Sequence, residues 1–234
     1  MAPRWGLWDV VIALAISAAM VALVAALKAG YTAVTGAEPA VGLLVIVGIA
    51  LPWLGLGGWP LVATAWRGNG PRIDLGLRLR WSDAGWGATA GVAALALSAI
   101  AAAVTRVFVP DLTSSAADVA SELLRSSPRG VVIAFGMAVL VGAPVVEELF
   151  FRGLLFDALR KRGLGAAWTV VVTAVAFAAF HFEPTRFLVL LPTGFVLGWV
   201  RWRTGSLGSS MLAHGLVNAP GAIVLLLGGQ VMTP

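Results

Sequence analysis

The stretch Pro144-Val145-Val146-Glu147-Glu148-Leu149-Phe150-Phe151-Arg152 places two adjacent carboxylates and a guanidinium inside a segment that is otherwise apolar. In a helix that faces lipid, each such charge costs about 2.5–3.5 kcal/mol at the centre of the bilayer. A chain that keeps three of them together must use them. We therefore expect the rest of the fold to hold this charged group, together with the two histidines of the chain, inside a membrane.

The composition indicates a membrane protein. The chain has 234 residues, of which 59% are hydrophobic and 12% are charged, whereas a soluble domain carries roughly 25% charged residues. Several stretches run without a charge for about 20 residues, the length that crosses ~30 Å of hydrocarbon. These runs are continuous rather than alternating, which excludes an outer-membrane barrel. We therefore predict an all-α, polytopic helical membrane protein.

The order of apolar runs and basic clusters predicts about seven transmembrane helices, with the active site in the membrane among the last four. The predicted spans are residues 8–31, 41–66, 86–109, 130–160, 166–182, 186–202 and 207–228. Of the 16 lysines and arginines, ten fall on the side of the N-terminus, five on the opposite side and Arg152 inside a span. The positive-inside rule then places the N-terminus in the cytoplasm.

We expect the protein in a prokaryotic plasma (inner) membrane, as one integral unit. Within it we distinguish N-terminal helices and loops, residues 1–128, from a catalytic helical core, residues 129–234. The net charge of +5 does not indicate nucleic acid, because the arginines fall in short clusters between apolar runs. Membrane lipid is the expected partner, and residues 75–81, where leucines alternate with arginines, are predicted to lie at the membrane interface. The absence of cysteine from the sequence excludes thiolate metal sites and a cysteine nucleophile.

The two carboxylates of the opening stretch differ in their expected partners. Glu148 and Arg152 are four residues apart, with the acid before the base, which favours an ion pair along the helix. Glu147 is turned by about 100° from Glu148 and has no partner at that spacing. Because an unpaired buried carboxylate is costly and suits proton transfer, Glu147 is the leading catalytic candidate. Pro144 frees the carbonyl of Leu140 and is expected to bend the helix before the carboxylates.

Both histidines fall in predicted spans, each with a companion on the same helix face. Phe177 lies four residues before His181, and Asn218 lies four residues after His214. At about 1.5 Å of rise per residue, both histidines can meet Glu147 near the middle of the membrane. Alone, each histidine or the asparagine is typical of a hydrogen bond between helices. Together on three helices, these residues favour a catalytic site.

In order, Glu-Glu-x-x-x-Arg at 147–152, Phe-x-x-x-His at 177–181 and His-x-x-x-Asn at 214–218 resemble the motifs of the CPBP (ABI) family of intramembrane proteases. That family includes the CAAX prenyl-protein endopeptidases and the bacteriocin-processing or immunity proteins. The resemblance covers the fourth to the seventh predicted span. It implies an endopeptidase that acts on a membrane-associated peptide or protein, which is prenylated for the CAAX-type members.

The resemblance also implies a role for each motif residue. Glu147 and His181 would hold and deprotonate the attacking water, while His214 and Asn218 would donate hydrogen bonds to the oxyanion. The residues that would support the site are Glu148, Arg152 and Phe177.

A zinc-dependent mechanism is an alternative, since Glu147, His181 and His214 make a His2Glu set with an open fourth position. The HExxH spacing of ordinary zinc proteases is absent from the sequence, and we favour the metal-free mechanism. Two non-proteolytic alternatives are a membrane scaffold or immunity-type protein, which keeps the motifs for structure, and a haem protein with two axial histidines. The haem alternative explains neither Glu147 nor Arg152.

Overall fold

We describe the chain from a computed structural model, which gives the structure of residues 3–227. The predicted all-α class is confirmed, since the regular elements in that range are helices without any strand. Eight longer helices follow one another in this range: α1 (Leu7–Thr35), α2 (Val41–Arg67), α3 (Trp81–Phe108), α4 (Ser115–Ser126), α5 (Arg129–Lys161), α6 (Ala166–Phe180), α7 (Phe187–Thr204) and α8 (Leu207–Leu227).

Each predicted span is a helix, but the count of seven transmembrane helices is not confirmed. Five of the described helices, α1, α2, α3, α5 and α8, are long and apolar enough to cross a membrane. Helix α6 has 15 residues, fewer than the roughly 20 that the hydrocarbon core requires, and α7 carries Arg201 and Arg203 in its last turn. Gly228, the end of the seventh predicted span, lies outside the described residues. The apolar helices are those of an integral membrane protein.

Hydrogen bonds join the start of α1 to the ends of α2 and α5. At one end of the bundle, the N–H of Arg4 before α1 donates to the carbonyl of Arg67 at the end of α2, at 2.8 Å. Lys161, which ends α5, reaches the carbonyl of Trp5 at 3.3 Å. This end carries the arginine clusters of the predicted cytoplasmic side, and the orientation itself stays a prediction.

Small residues let α6 and α7 approach closely. A Cβ atom on Gly194 would lie 2.9 Å from the Cα of Ala174, and one on Gly198 would lie 3.2 Å from Cγ1 of Val170. Glycine is therefore required at 194, where the obstacle is backbone. The close packing brings α6 against α5, where the rings of Phe151 and Phe177 meet edge to face with 5.5 Å between their centroids.

Candidate active site

Helix α5 changes its winding on both sides of the two glutamates. π-Helical stretches cover Ala138–Gly142 and Leu149–Leu155, and one α-helical stretch, Ala143–Glu148, lies between them. In the first π-helical stretch, the N–H of Ala143 bonds to the carbonyl of Ala138, five residues back. Such wide turns inside α-helices are rare and frequently occur at functional sites.

This winding explains the position of Asn218. In the same register the carbonyl of Val139 would pair with residue 144, which is a proline and has no N–H. Nδ2 of Asn218 donates to this carbonyl at 3.0 Å. The proline was expected to free the carbonyl of Leu140, one α-helical turn before it, whereas the carbonyl that Asn218 satisfies is that of Val139. Asn218 thereby ties α8 to α5 just before Glu147.

The predicted ion pair between Glu148 and Arg152 is present, and both side chains are fully buried. Nη1 of Arg152 donates to Oε1 of Glu148 at 2.9 Å, and Nη2 donates to the carbonyl of Gly194 at 3.0 Å. The guanidinium also lies over the ring of Phe177, with 4.6 Å from Cζ to the ring centroid, which adds a cation–π contact. The pair therefore joins α5 to α6 and α7.

Glu148 has a second partner that its spacing along α5 does not reveal. His214 of α8 is buried, and its Nδ1 lies 3.0 Å from Oε1 of Glu148. Because a carboxylate paired with Arg152 can only accept, Nδ1 carries a proton, and Nε2 is the ring nitrogen left to face other partners. Nε2 lies 3.9 Å from Oε2 of Glu147. His214 therefore stands between the two glutamates.

Glu147 has a buried Oε2 without a hydrogen-bond partner in the described part of the chain. Its side chain is 19% exposed and lines a cavity of about 460 Å³. The other lining is mostly apolar and comes from α2, α4 and α5, with members such as Trp53, Val119 and Phe135. A buried oxygen of this kind is unfavourable unless a water or ligand in the cavity supplies its hydrogen bond.

The sequence predicted His181 inside a span, but in the structure His181 lies just beyond the end of α6. The helix ends at Phe180, and Phe182 has a φ of 53°, a strained conformation for a bulky residue. The imidazole is nevertheless held, since its Nδ1 donates to the carbonyl of Phe177 at 2.8 Å, and its Nε2 has no hydrogen-bond partner among the described residues. The ring of Phe177 contacts both His181 and His214, at centroid distances of 4.9 and 5.5 Å.

The predicted zinc ligands do not form a metal site in this arrangement. Among residues 3–227, no three His, Asp or Glu side chains are grouped so as to hold a metal ion. His214 is near Glu147, but His181 has no carboxylate within ion-pair distance in the same range. The residues present therefore do not fit the His2Glu set.

One polar residue beside the site was not predicted. Arg201 counts as a loop charge in the sequence, because it lies in a basic cluster, but its side chain is buried. Nε donates to the carbonyl of Arg152 at 2.9 Å, and Nη2 donates to Oδ2 of Asp157 at 2.7 Å. No sequence signal separates it from its exposed neighbour Arg203, since only its contacts with α5 distinguish the two.

Glu183 ties α4 to the end of the bundle near His181. Its Oε1 accepts from the N–H of Ser115 at 2.7 Å, and its Oε2 accepts from Arg186 at 2.6 Å. Burial raises the pKa of Glu183, but the hydrogen bonds from Ser115 and Arg186 and the charge of Arg186 outweigh it, so that the pKa is lowered. The ionised carboxylate holds α4 in place, and Val119 of α4 lines the cavity of Glu147.

Comparisons with known proteins point to the same part of the chain. Residues 129–220 match the family model of the type II CAAX prenyl endopeptidase Rce1-like proteins. A protein of Lactococcus lactis subsp. cremoris, described as "UPF0177 protein in abiGi 5'region", is 32% identical over 92 residues. The match covers 39% of this chain and 38% of that relative. No solved structure matches the chain. Residues 129–220, which include all three motifs, are thus similar to the Rce1-like CAAX prenyl endopeptidases, which confirms the resemblance that the motifs predict.

Proposed function

We propose that the chain is an intramembrane endopeptidase that hydrolyses a peptide bond of a membrane-associated substrate. The observation that carries the proposal is the environment of Glu147. Its carboxylate borders a mostly apolar cavity, has one buried oxygen without a partner among the described residues, and lies 3.9 Å from Nε2 of a histidine that Glu148 orients. Glu148 also has a buried Oε2 without a partner among the described residues, but its Oε1 accepts from both Arg152 and His214, whereas Glu147 has no such hydrogen bond.

Glu147 is the general base of the proposed reaction. A water in the cavity gives its proton to the Glu147 carboxylate while its oxygen attacks the scissile carbonyl carbon. When the tetrahedral intermediate collapses, the C–N bond breaks and the same proton passes to the leaving amine. A positioned acid–base group of this kind contributes about 10²–10⁴-fold to the rate. His181, whose Nδ1 is held by the carbonyl of Phe177, is the proposed second partner of the water through its Nε2.

His214 and Asn218 are the proposed donors to the oxyanion. With Nδ1 held by Glu148, only Nε2 of His214 is directed towards Glu147, so the doubly protonated ring would donate through this atom. Asn218 would exchange the carbonyl of Val139 for the oxyanion. One preorganised donor is typically worth about 2.7–4 kcal/mol in the transition state. Glu148 and Arg152 act by positioning His214.

The substrate that we propose is a peptide held at the membrane by a lipid or prenyl group or by apolar side chains. The family match supports CAAX-type substrates, and the lining of the Glu147 cavity is mostly apolar. No observation on the described residues favours the scaffold or the haem alternative. The haem alternative needs both imidazoles as axial ligands, whereas the ring of Phe177 contacts both of them and Nδ1 of His214 is bonded to Glu148.

The test is peptide cleavage by the purified protein in lipid vesicles, followed by mass spectrometry of the products. Prenylated and unprenylated forms of one C-terminal peptide serve as substrates. We expect Glu147→Ala and His214→Ala to lose at least about 100-fold in kcat/KM. Glu122→Ala is the control, since the side chain of this glutamate of α4 is 45% exposed, pairs with Arg125 and lies outside the candidate site. Full cleavage by folded Glu147→Ala would refute the proposed chemistry.

A further inference from the structure

A basic cavity lies outside the candidate active site, in the segment that connects α2 to α3. It has a volume of about 650 Å³ and opens to the surface. Its lining residues are Arg72, Ile73, Leu77, Arg78, Leu79 and Arg80. No residue of the three motifs contributes to it, so the proposed protease chemistry leaves this cavity unexplained.

The three arginines of this cavity have no carboxylate partner within the described range, where the ion pairs of arginine involve other residues. The two acidic side chains nearest in sequence are already engaged. Asp74 accepts from the indole of Trp5 at 2.7 Å, and Asp83 accepts from the hydroxyls of Ser206 and Ser209 at 3.0 and 2.6 Å. No ion pair among residues 3–227 therefore neutralises the three guanidinium groups.

The backbone of the cavity is held in place by the turn between α7 and α8. The N–H of Leu207 donates to the carbonyl of Gly76 at 2.9 Å, and the hydroxyl of Ser206 shares its one proton between Asp83 and the carbonyl of Arg78, each 3.0 Å away. Gly76 has a φ of 62°, and a Cβ there would lie 2.6 Å from the carbonyl oxygen of Gly205, so that only glycine fits. The arginines are thus presented on a fixed loop, which lowers the entropy cost of binding.

Apolar side chains stand exposed beside the charges. Leu79 is 79% exposed and Trp81, the first residue of α3, is 98% exposed. Leucine and tryptophan next to arginines at the end of a transmembrane helix are typical of the zone between headgroups and acyl chains. Guanidinium groups bind phosphate in a bidentate manner. A ligand that satisfies both features carries a phosphate and a hydrocarbon chain.

We propose that this cavity binds the phosphate of an anionic phospholipid, with Arg72, Arg78 and Arg80 around the headgroup and with Leu79 and Trp81 against the acyl chains. The site is separate from the proposed hydrolysis and does not depend on it. It lies at the end of the bundle where the positive-inside rule places the anionic cytoplasmic leaflet.

The test is titration of the detergent-purified protein with phosphatidylglycerol and with phosphatidylcholine, with bound lipid counted by native mass spectrometry. The wild-type protein is expected to bind phosphatidylglycerol at least tenfold more tightly than phosphatidylcholine. The combined change Arg72→Gln, Arg78→Gln and Arg80→Gln is expected to weaken phosphatidylglycerol about 100-fold and to leave phosphatidylcholine unchanged.

The matched control removes three exposed arginines at the same end of the bundle: Arg4→Gln, Arg162→Gln and Arg203→Gln. This control variant has the same net charge as the variant of the cavity. Its loss of affinity for phosphatidylglycerol is expected to stay below tenfold, because exposed charges are screened beyond about 8–10 Å. An equal loss in the control would overturn the site, as would equal binding of the two lipids by the wild-type protein. Displacement of the lipid by an equal concentration of inorganic phosphate would also overturn the lipid proposal, because the ligand would then be a soluble phosphate. If the glutamine variant does not fold, two other measurements test the site. One is the preference of the wild-type protein for phosphatidylglycerol, and the other is phosphatidylglycerol binding by the variant in which the same three arginines are lysines.

Discussion

Glu147 and Glu148 are neighbours in the chain, but we expect their replacement by glutamine, which conserves the shape of the side chain, to have different effects. The change at Glu148 should lower the stability of the protein, whereas the change at Glu147 should lower its activity alone. Glu148→Gln removes the charge that neutralises Arg152, whose side chain is fully buried. An uncompensated buried charge of this kind costs about 3–5 kcal/mol, which is at least about 100-fold in the unfolding equilibrium. The variant also replaces the carboxylate that orients His214, so that activity falls together with stability.

Glu147→Gln removes a charge that has no strong partner. The nearest cation-forming group is His214 at 3.9 Å, and Oε2 is buried without a hydrogen bond among the described residues. Because no satisfied interaction is lost, we expect the free energy of unfolding to stay within about 1 kcal/mol of wild type. Cleavage is expected to fall by about 10²–10⁴-fold, since an amide cannot accept the proton of water.

The assay compares equilibrium unfolding in mixed micelles of mild and denaturing detergent with peptide cleavage by the same samples. Glu122→Gln provides a control with an exposed ion pair, which should leave both quantities near wild type. Two results would refute the reasoning. One is a loss of stability in Glu147→Gln as large as that in Glu148→Gln, and the other is wild-type cleavage by Glu147→Gln.

Three further predictions concern packing, α4 and metal dependence. Gly194→Ala forces a Cβ to 2.9 Å from the Cα of Ala174 and is expected to cost about 1–3 kcal/mol in thermal unfolding. Gly221→Ala, with open space around it, should be neutral or slightly stabilising, and an equal cost at both positions would contradict the packing argument. Glu183→Gln should speed hydrogen–deuterium exchange in α4. The wild-type protein should show this faster exchange only in acid. The hydrogen bond between Glu183 and Ser115 is at full strength above the usual carboxyl pKa and is lost as pH falls through the lowered pKa of Glu183. Cleavage should survive a chelator in protein whose metal content has been measured, whereas inactivation that zinc reverses would restore the zinc alternative.

Features that act along one helix could be predicted from the sequence. The ion pair of Glu148 and Arg152 follows from four residues of spacing, since such positions share a helix face. The lack of an intrahelical partner for Glu147 follows from the same geometry. The helices themselves follow from the long apolar runs, because a backbone in hydrocarbon has to satisfy its polar groups internally.

Features that depend on the winding or ending of a helix were predicted less well. His181 lies beyond the end of α6 because the chain leaves the helix after Phe180, and apolar composition alone does not mark that point. The π-helical stretches around the glutamates shift the register of α5, so the free carbonyl at the proline is paired across to Asn218. The number of spans was likewise predicted from apolar content, which does not separate a short buried helix from one that crosses the membrane.

The sequence by itself determined the helical membrane class, the resemblance to a known family and the residues that carry the motifs. Only the tertiary structure decided how those residues meet: His214 lies between Glu148 and Glu147, whereas His181 is held by Phe177 beyond the helix end. The reason is physical. Contacts within a helix follow from its constant rise and rotation, but contacts between helices depend on how closely the small residues let the helices pack and where the winding of each helix changes.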